Sequence, residues 1–113
     1  MNYYLYSGTA DMRKTFDGLC GLVKDKFSHN PMSGEVFIFI NKRRDKIKLL
    51  HWESGGFTLY YKRLESGTIE LPSWDPAYYC CQIEWSDLVM MVEGISLEKI
   101  HRRKRYILTK QGV

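Results

Sequence analysis

Cysteine and histidine are scarce in this 113-residue chain, with three of each, and both shortages exclude chemistry. Cys20, Cys80 and Cys81 are odd in number and two are adjacent, which is no disulfide framework and fits a reducing cytoplasm. Neighbouring side chains on a strand point to opposite faces, so Cys80 and Cys81 read as structural thiols rather than a pair of metal ligands. His29, His51 and His101 stand far apart, and neither Cys-x-x-Cys nor His-Glu-x-x-His occurs. The expectation is no metal and no cofactor. No apolar run approaches the roughly 18 to 20 residues of a membrane span. Residues Met1 to Gly8 lack the basic and apolar regions of a signal peptide, so a cytoplasmic location is expected. Gly55-Gly56 is too short to be a phosphate-cradling loop and stands where a hairpin turn belongs.

Apolar side chains make up 44% of the sequence, and 16 residues are aromatic, enough surface to fold around. The length fits one domain, residues 1–113. A single core of this size gives modest stability, so a homo-oligomer or a complex is in keeping with it.

The formal charge of +4 is unevenly placed. Leu97 to Val113 carries six bases (Lys99, Arg102, Arg103, Lys104, Arg105, Lys110) against Glu98 alone. The first 96 residues hold 11 bases and 12 acids. Within that balanced part, Lys42, Arg43, Arg44, Lys46 and Lys48 face only Asp45. Two basic spots on one small domain point to a polyanionic partner, against the plainer reading of solvated surfaces kept for solubility.

The hydrophobic pattern predicts an α+β fold. Tyr3 to Tyr6 reads as a short strand. Thr9 or Asp11 is placed to start a helix, and Met12, Phe16, Leu19, Cys20, Val23 and Phe27 share one helical face. Gly18 and Gly21 inside it cost about 1 kcal/mol each against Ala, which suggests close packing there. His29 to Gly34 turns the chain. Glu35 to Ile40, Lys46 to Trp52 and Phe57 to Lys62 then read as three strands of an antiparallel meander, joined by turns at Asn41 to Asp45 and Glu53 to Gly56. Thr68 to Leu71 reads as an edge strand and Tyr78 to Trp85 as a further one. Ser86 caps a helix carrying Leu88, Met91 and Val92, which Gly94 ends. Ser96 caps a second, from Leu97 to about Arg105, so residues 97–113 form a basic C-terminal helix and tail. The whole is an antiparallel sheet of about four to six strands, packed against an N-terminal helix, with two short C-terminal helices.

Catalytic patterns are missing. A magnesium-dependent nuclease needs acidic residues near the scissile phosphate, and no Asp or Glu here is followed two positions later by Lys. Nothing singles out a nucleophile, so the chain reads as non-enzymatic. The basic turn is the better candidate. Lys42, Arg43 and Arg44 sit at a hairpin tip, Lys46 and Lys48 on one face of its second arm, and Lys62 and Arg63 on the next strand. Trp52, Tyr60 and Tyr61 are interleaved with them. Arg and Lys clamp phosphates, and a hairpin enters a groove. Arg102, Arg103, Lys104 and Arg105 add a second basic surface. The apolar face of that helix is too thin for membrane binding.

Several stretches are distinctive. They are Asp11-Met12-Arg13-Lys14-Thr15-Phe16-Asp17-Gly18-Leu19, Asn41 to Leu50, and Trp52-x-x-x-Gly56-Phe57-x-Leu59-Tyr60-Tyr61-Lys62-Arg63-Leu64-Glu65-x-Gly67, followed by Leu88 to Ile95. In this order they resemble the accessory TnpB protein, of second-open-reading-frame type, of the insertion-sequence-66 family of bacterial mobile elements. The resemblance runs from about Asp11 to Ile95 and is weakest over Pro72 to Gln82. It implies an accessory role in transposition, a form of DNA recombination, beside a larger transposase that carries the cutting chemistry. Asp11, Arg13, Lys14, Asp17, Gly18, Trp52, Gly56 and Tyr61 are its motif residues. Arg13 and Asp17 also fit a simple i, i+4 ion pair on the helix.

Two functions follow as expectations. One is DNA binding at element ends through the basic hairpin and the C-terminal helix. The other is an interaction module that holds the transposase, or another accessory protein of the element, without touching DNA. A small nuclease is a weaker third.

Overall fold

The computed structural model describes residues 1–73 and 75–93, and the backbone of Arg105 and Tyr106. Tyr3–Tyr6 forms β1, Val36–Ile40 β2, Lys46–Glu53 β3, Gly56–Arg63 β4 and Cys80–Ile83 β5. These lie side by side in the order β4-β3-β2-β1-β5, and the two-residue β6, Arg105–Tyr106, pairs onto β5.

The meander of β2, β3 and β4 is antiparallel as the sequence predicts, with Ile40 opposite Ile47 and Glu53 opposite Gly56. The sheet as a whole is mixed, however. β1 runs parallel to β2, with Tyr4 opposite Phe37. The cause is the connection between them, residues 7–35, which contains a helix. A parallel neighbour requires such a crossover, whereas an antiparallel one needs only a tight turn. β2 therefore lies inside the sheet with both faces covered, and all five of its residues, Val-Phe-Ile-Phe-Ile, are buried.

The helices also differ from expectation. α1 is Phe16–Leu22, continued by a π-helical turn over Val23–Phe27 that ends at Ser28 in the left-handed conformation. Its start lies beyond Asp11 because the Asp11 carboxylate accepts a bond from the Arg13 backbone N–H at 2.9 Å, a local turn that competes with the helix. Gly18 does pack closely, since a Cβ there would stand 3.1 Å from Lys14 Cβ, but Gly21 has open space. α2 is Trp85–Glu93. Asp87 in its first turn reaches back to the Glu84 N–H at 3.3 Å, so the cap centres on Glu84 rather than Ser86. Residues 68–71 form no strand, although Ile69 is fully buried and its N–H bonds the Arg44 carbonyl. The predicted helix from Leu97 to Arg105 lies outside the described residues except at its end, where Arg105 is extended and pairs with Gln82.

The two helices cover opposite faces of the sheet. Leu19, Val23 and Phe27 pack on Tyr4, Phe37, Phe39, Leu50 and Cys80. Leu88 and Met91 pack on the other face, with Leu5, Val36, Ile38, Ile40, Ile47, Cys81 and Ile83. Cys80 and Cys81 thus fall into different cores, and burial pushes the Cys80 thiol well above its ordinary range. On the α1 face Phe27 meets Phe37 edge-on with ring centres 5.3 Å apart. Truncating either ring to Ala costs about 3–5 kcal/mol.

Candidate nucleic-acid interface

The β2–β3 connection is a rigid cationic tip. Asn41 organises it: its backbone carbonyl accepts from Arg44 N–H at 3.0 Å, and its side-chain oxygen accepts from Asp45 N–H and Lys46 N–H at 3.1 and 3.0 Å. The Asn41 amide donates to Asp45 Oδ1 at 2.7 Å, which holds the Asp45 carboxyl below its usual range. Asp45 is thereby turned into the loop, while Lys42, Arg43 and Arg44 are exposed. Arg44 has φ +58°, the left-handed region in which this kind of turn favours glycine.

β1 and β2 end at the same side of the sheet because they are parallel. Ser7, Gly8 and Thr9 therefore stand beside Asn41, Lys42 and Arg44, around a hollow of about 260 Å³. Below the tip, Lys46 is opposite Arg63 in register and Lys48 is opposite Tyr61. Lys46, Tyr61 and Arg63 line a shallow depression of about 170 Å³.

The remaining cations divide sharply. Lys48 is only 3% exposed. Its ammonium donates to the carbonyls of Met12 and Lys14 at 2.6 and 2.7 Å, and lies 4.5 Å from the centre of the Tyr61 ring. Burial lowers its pKa, with the Asp11 charge opposing. Lys48 is thus a tie between β3 and the turn before α1, set apart from the exposed bases. Lys62 faces the other side of the sheet and donates to the Val92 carbonyl at 2.8 Å, at the negative end of α2. Arg63 remains at the surface beside Glu65, with 2.8 Å between Nη2 and Oε1.

The motif residues gain definite places. Asp11 pairs with Arg13 at 2.7 Å, which replaces the expected Arg13–Asp17 pair, and this contact holds the Asp11 carboxyl at about 2. Asp17 is exposed in the first turn of α1, where a negative charge suits the helix dipole. Lys14 offers its carbonyl to Lys48, and Gly18 lies against the Lys14 side chain. The motif around Asp11 and the motif around Lys48 are therefore one contact in space. Trp52 packs edge-on against Phe57 at 4.9 Å, and Gly56 opens β4 after a turn in which Ser54 and Gly55 both have positive φ. Arg102, Arg103 and Lys104 lie outside the described residues. Sequence reasoning missed the part played by Asn41, although an Asn at the first position of a turn is its usual signal.

Among the described residues no three His, Cys, Asp or Glu side chains group to hold a metal ion. Nor is any helix there long and apolar enough to cross a membrane.

Residues 1–102 match the family described as IS66 Orf2 like protein. Among curated proteins, the chain is 31% identical over 94 residues to the uncharacterized protein y4jC of Sinorhizobium fredii, covering 82% of this chain and 78% of that one. It is 30% identical over 70 residues to the uncharacterized protein y4hO of the same organism, covering 62% and 61%. No solved structure matches. With nearly its whole length inside that family match, the chain belongs to the IS66 Orf2-like family, accessory proteins of IS66 transposable elements.

Proposed function

We propose that the protein is a non-catalytic accessory factor of transposition that binds DNA through the β2–β3 tip. The observation that carries this reading is Arg44. A cationic side chain occupies a left-handed backbone position that favours glycine, at an exposed tip it shares with Lys42 and Arg43. Backbone strain of this kind costs on the order of 1 kcal/mol, and it is kept where the side chain has work to do. The tip is also held in one shape by Asn41, so little ordering is left to oppose binding.

Fluorescence anisotropy with element-end and random duplexes, at two salt concentrations, tests it. Arg43→Glu with Arg44→Glu should abolish binding while the thermal unfolding transition persists. A folded double variant that binds like the parent refutes the proposal.

A second reading has its own observation. Leu49, Tyr60, Trp85, Leu88, Val89 and Val92 line an apolar groove of about 450 Å³, with Trp85 61% exposed. Such a surface suits a protein partner. Co-purification with the transposase that survives nuclease treatment, and is lost in Trp85→Ala, supports this module; loss of the partner with nuclease alone counts against it.

A further inference from the structure

The depression between Lys46 and Arg63 has chemistry that duplex DNA does not use. Tyr61 is 52% exposed, yet one face of its ring is fixed by the buried ammonium of Lys48, 4.5 Å from the ring centre. The Lys48 ammonium is in turn held by two carbonyls, so the ring is backed by a rigid support. Tyr61 borders the depression, with Lys46 and Arg63 as its other walls. Tyr61 and Arg63 are two residues apart on one strand and share a face, about 7 Å from each other along it.

We infer that Lys46, Tyr61 and Arg63 form a platform for an unpaired nucleotide of single-stranded DNA. The base stacks on the open face of Tyr61, and the flanking phosphates meet Lys46 and Arg63. The bases of a duplex are already stacked on one another and present only edges and phosphates, so an open aromatic ring gains nothing from them. An unstacked base has a free face, and aromatic side chains capture it whatever its sequence. Glu65 opposes the platform mildly. Its carboxylate holds the Arg63 guanidinium at 2.8 Å, but both groups are well exposed, and such a pair yields readily to a phosphate.

The inference rests on the DNA-binding reading and extends it from duplex to strand ends. The test compares a blunt 20-base-pair duplex with the same duplex bearing a six-thymidine tail, by fluorescence anisotropy. The parent should bind the tailed DNA at least fivefold more tightly. Tyr61→Leu should erase that preference, while Tyr61→Phe, which keeps the ring, should retain it. Glu65→Gln should strengthen tailed binding two- to threefold and blunt binding less, which serves if Tyr61→Leu does not fold. A tail carrying 5-iododeoxyuridine should photo-crosslink to the peptide containing Tyr61. Equal affinity for blunt and tailed DNA, a preserved preference in folded Tyr61→Leu, or crosslinks only elsewhere overturns the platform. Blunt binding without a tail preference refutes the platform and leaves the hairpin reading intact. Absence of binding to either DNA refutes both.

Discussion

Arg44 and Asp11 show how single residues set the local chemistry. Arg44→Gly relieves the left-handed strain and removes a charge. It should keep or raise stability by about 0.5–1 kcal/mol while weakening DNA binding several-fold, read by thermal unfolding and anisotropy on the same sample. A residue kept only for folding would move both together. Asp11 behaves differently. Its carboxyl is lowered from 3.8 to about 2, first by the Arg13 side chain and then by the Arg13 backbone N–H. A depressed carboxylate contributes fully above its unfolded value and loses that contribution as pH falls through the folded one. The turn before α1 should therefore loosen between about pH 4 and 2. An NMR titration of the Asp11 carboxyl carbon, with a midpoint near 2 that rises toward 4 in Arg13→Ala, checks this.

At the scale of elements, α1 and its approach explain where pattern reading works and where it stops. Leu19, Val23 and Phe27 do form one buried stripe, as their spacing implies. Met12 fits the same spacing but lies before the helix, because the Asp11 side chain diverts the chain into a turn. Periodicity registers which side chains are apolar, not which hydrogen bond the backbone takes first. The two glycines of α1 look identical in sequence and differ in space. Gly21→Ala meets no neighbour and should stabilise the protein by up to about 1 kcal/mol. Gly18→Ala crowds the Lys14 side chain that packs there and should gain less or lose stability. Urea denaturation of the two variants separates them. Lys48 shows the same limit for charge. It alternates with Lys46 on β3 as an exposed base would, yet its ammonium closes the turn of Met12 to Lys14, some 34 residues earlier.

Across the whole molecule, the strand order decides how the basic surfaces relate. The tip lies at the end of β2 and β3, beside Lys46 and Arg63. Arg105 lies on β6, with β2, β1 and β5 between it and β3. Four strand spacings put these places about 19 Å apart across the sheet. Should the tip and the C-terminal bases together meet about six phosphates, affinity falls roughly a thousandfold between 50 and 200 mM salt. Changing Arg102, Arg103 and Lys104 together to Gln should make the logarithmic salt dependence shallower by about three, with blunt-duplex binding still abolished by Arg43→Glu and Arg44→Glu. A slope unchanged by the triple variant removes the C-terminal bases from the interface.

The amino-acid order by itself determined the elements that need only local information. The alternation of β3, the apolar run of β2, the turns at Asn41 and Gly55, and the cationic tip all follow from neighbours within a few residues. The accessory-protein family was likewise legible from motifs in order. Tertiary structure alone decided the parallel pairing of β1 with β2, because a strand's partner depends on where a distant crossover returns it. It alone placed α1 and α2 on opposite faces, since each apolar stripe is indifferent to which face it covers. It also sorted the cations. Lys48 and Lys62 look like Lys42 and Lys46 in sequence, but carbonyls of remote segments engage their ammonium groups. Hydrogen bonds between residues thirty or more apart leave no local trace, so only the folded chain shows which bases remain free to meet a phosphate.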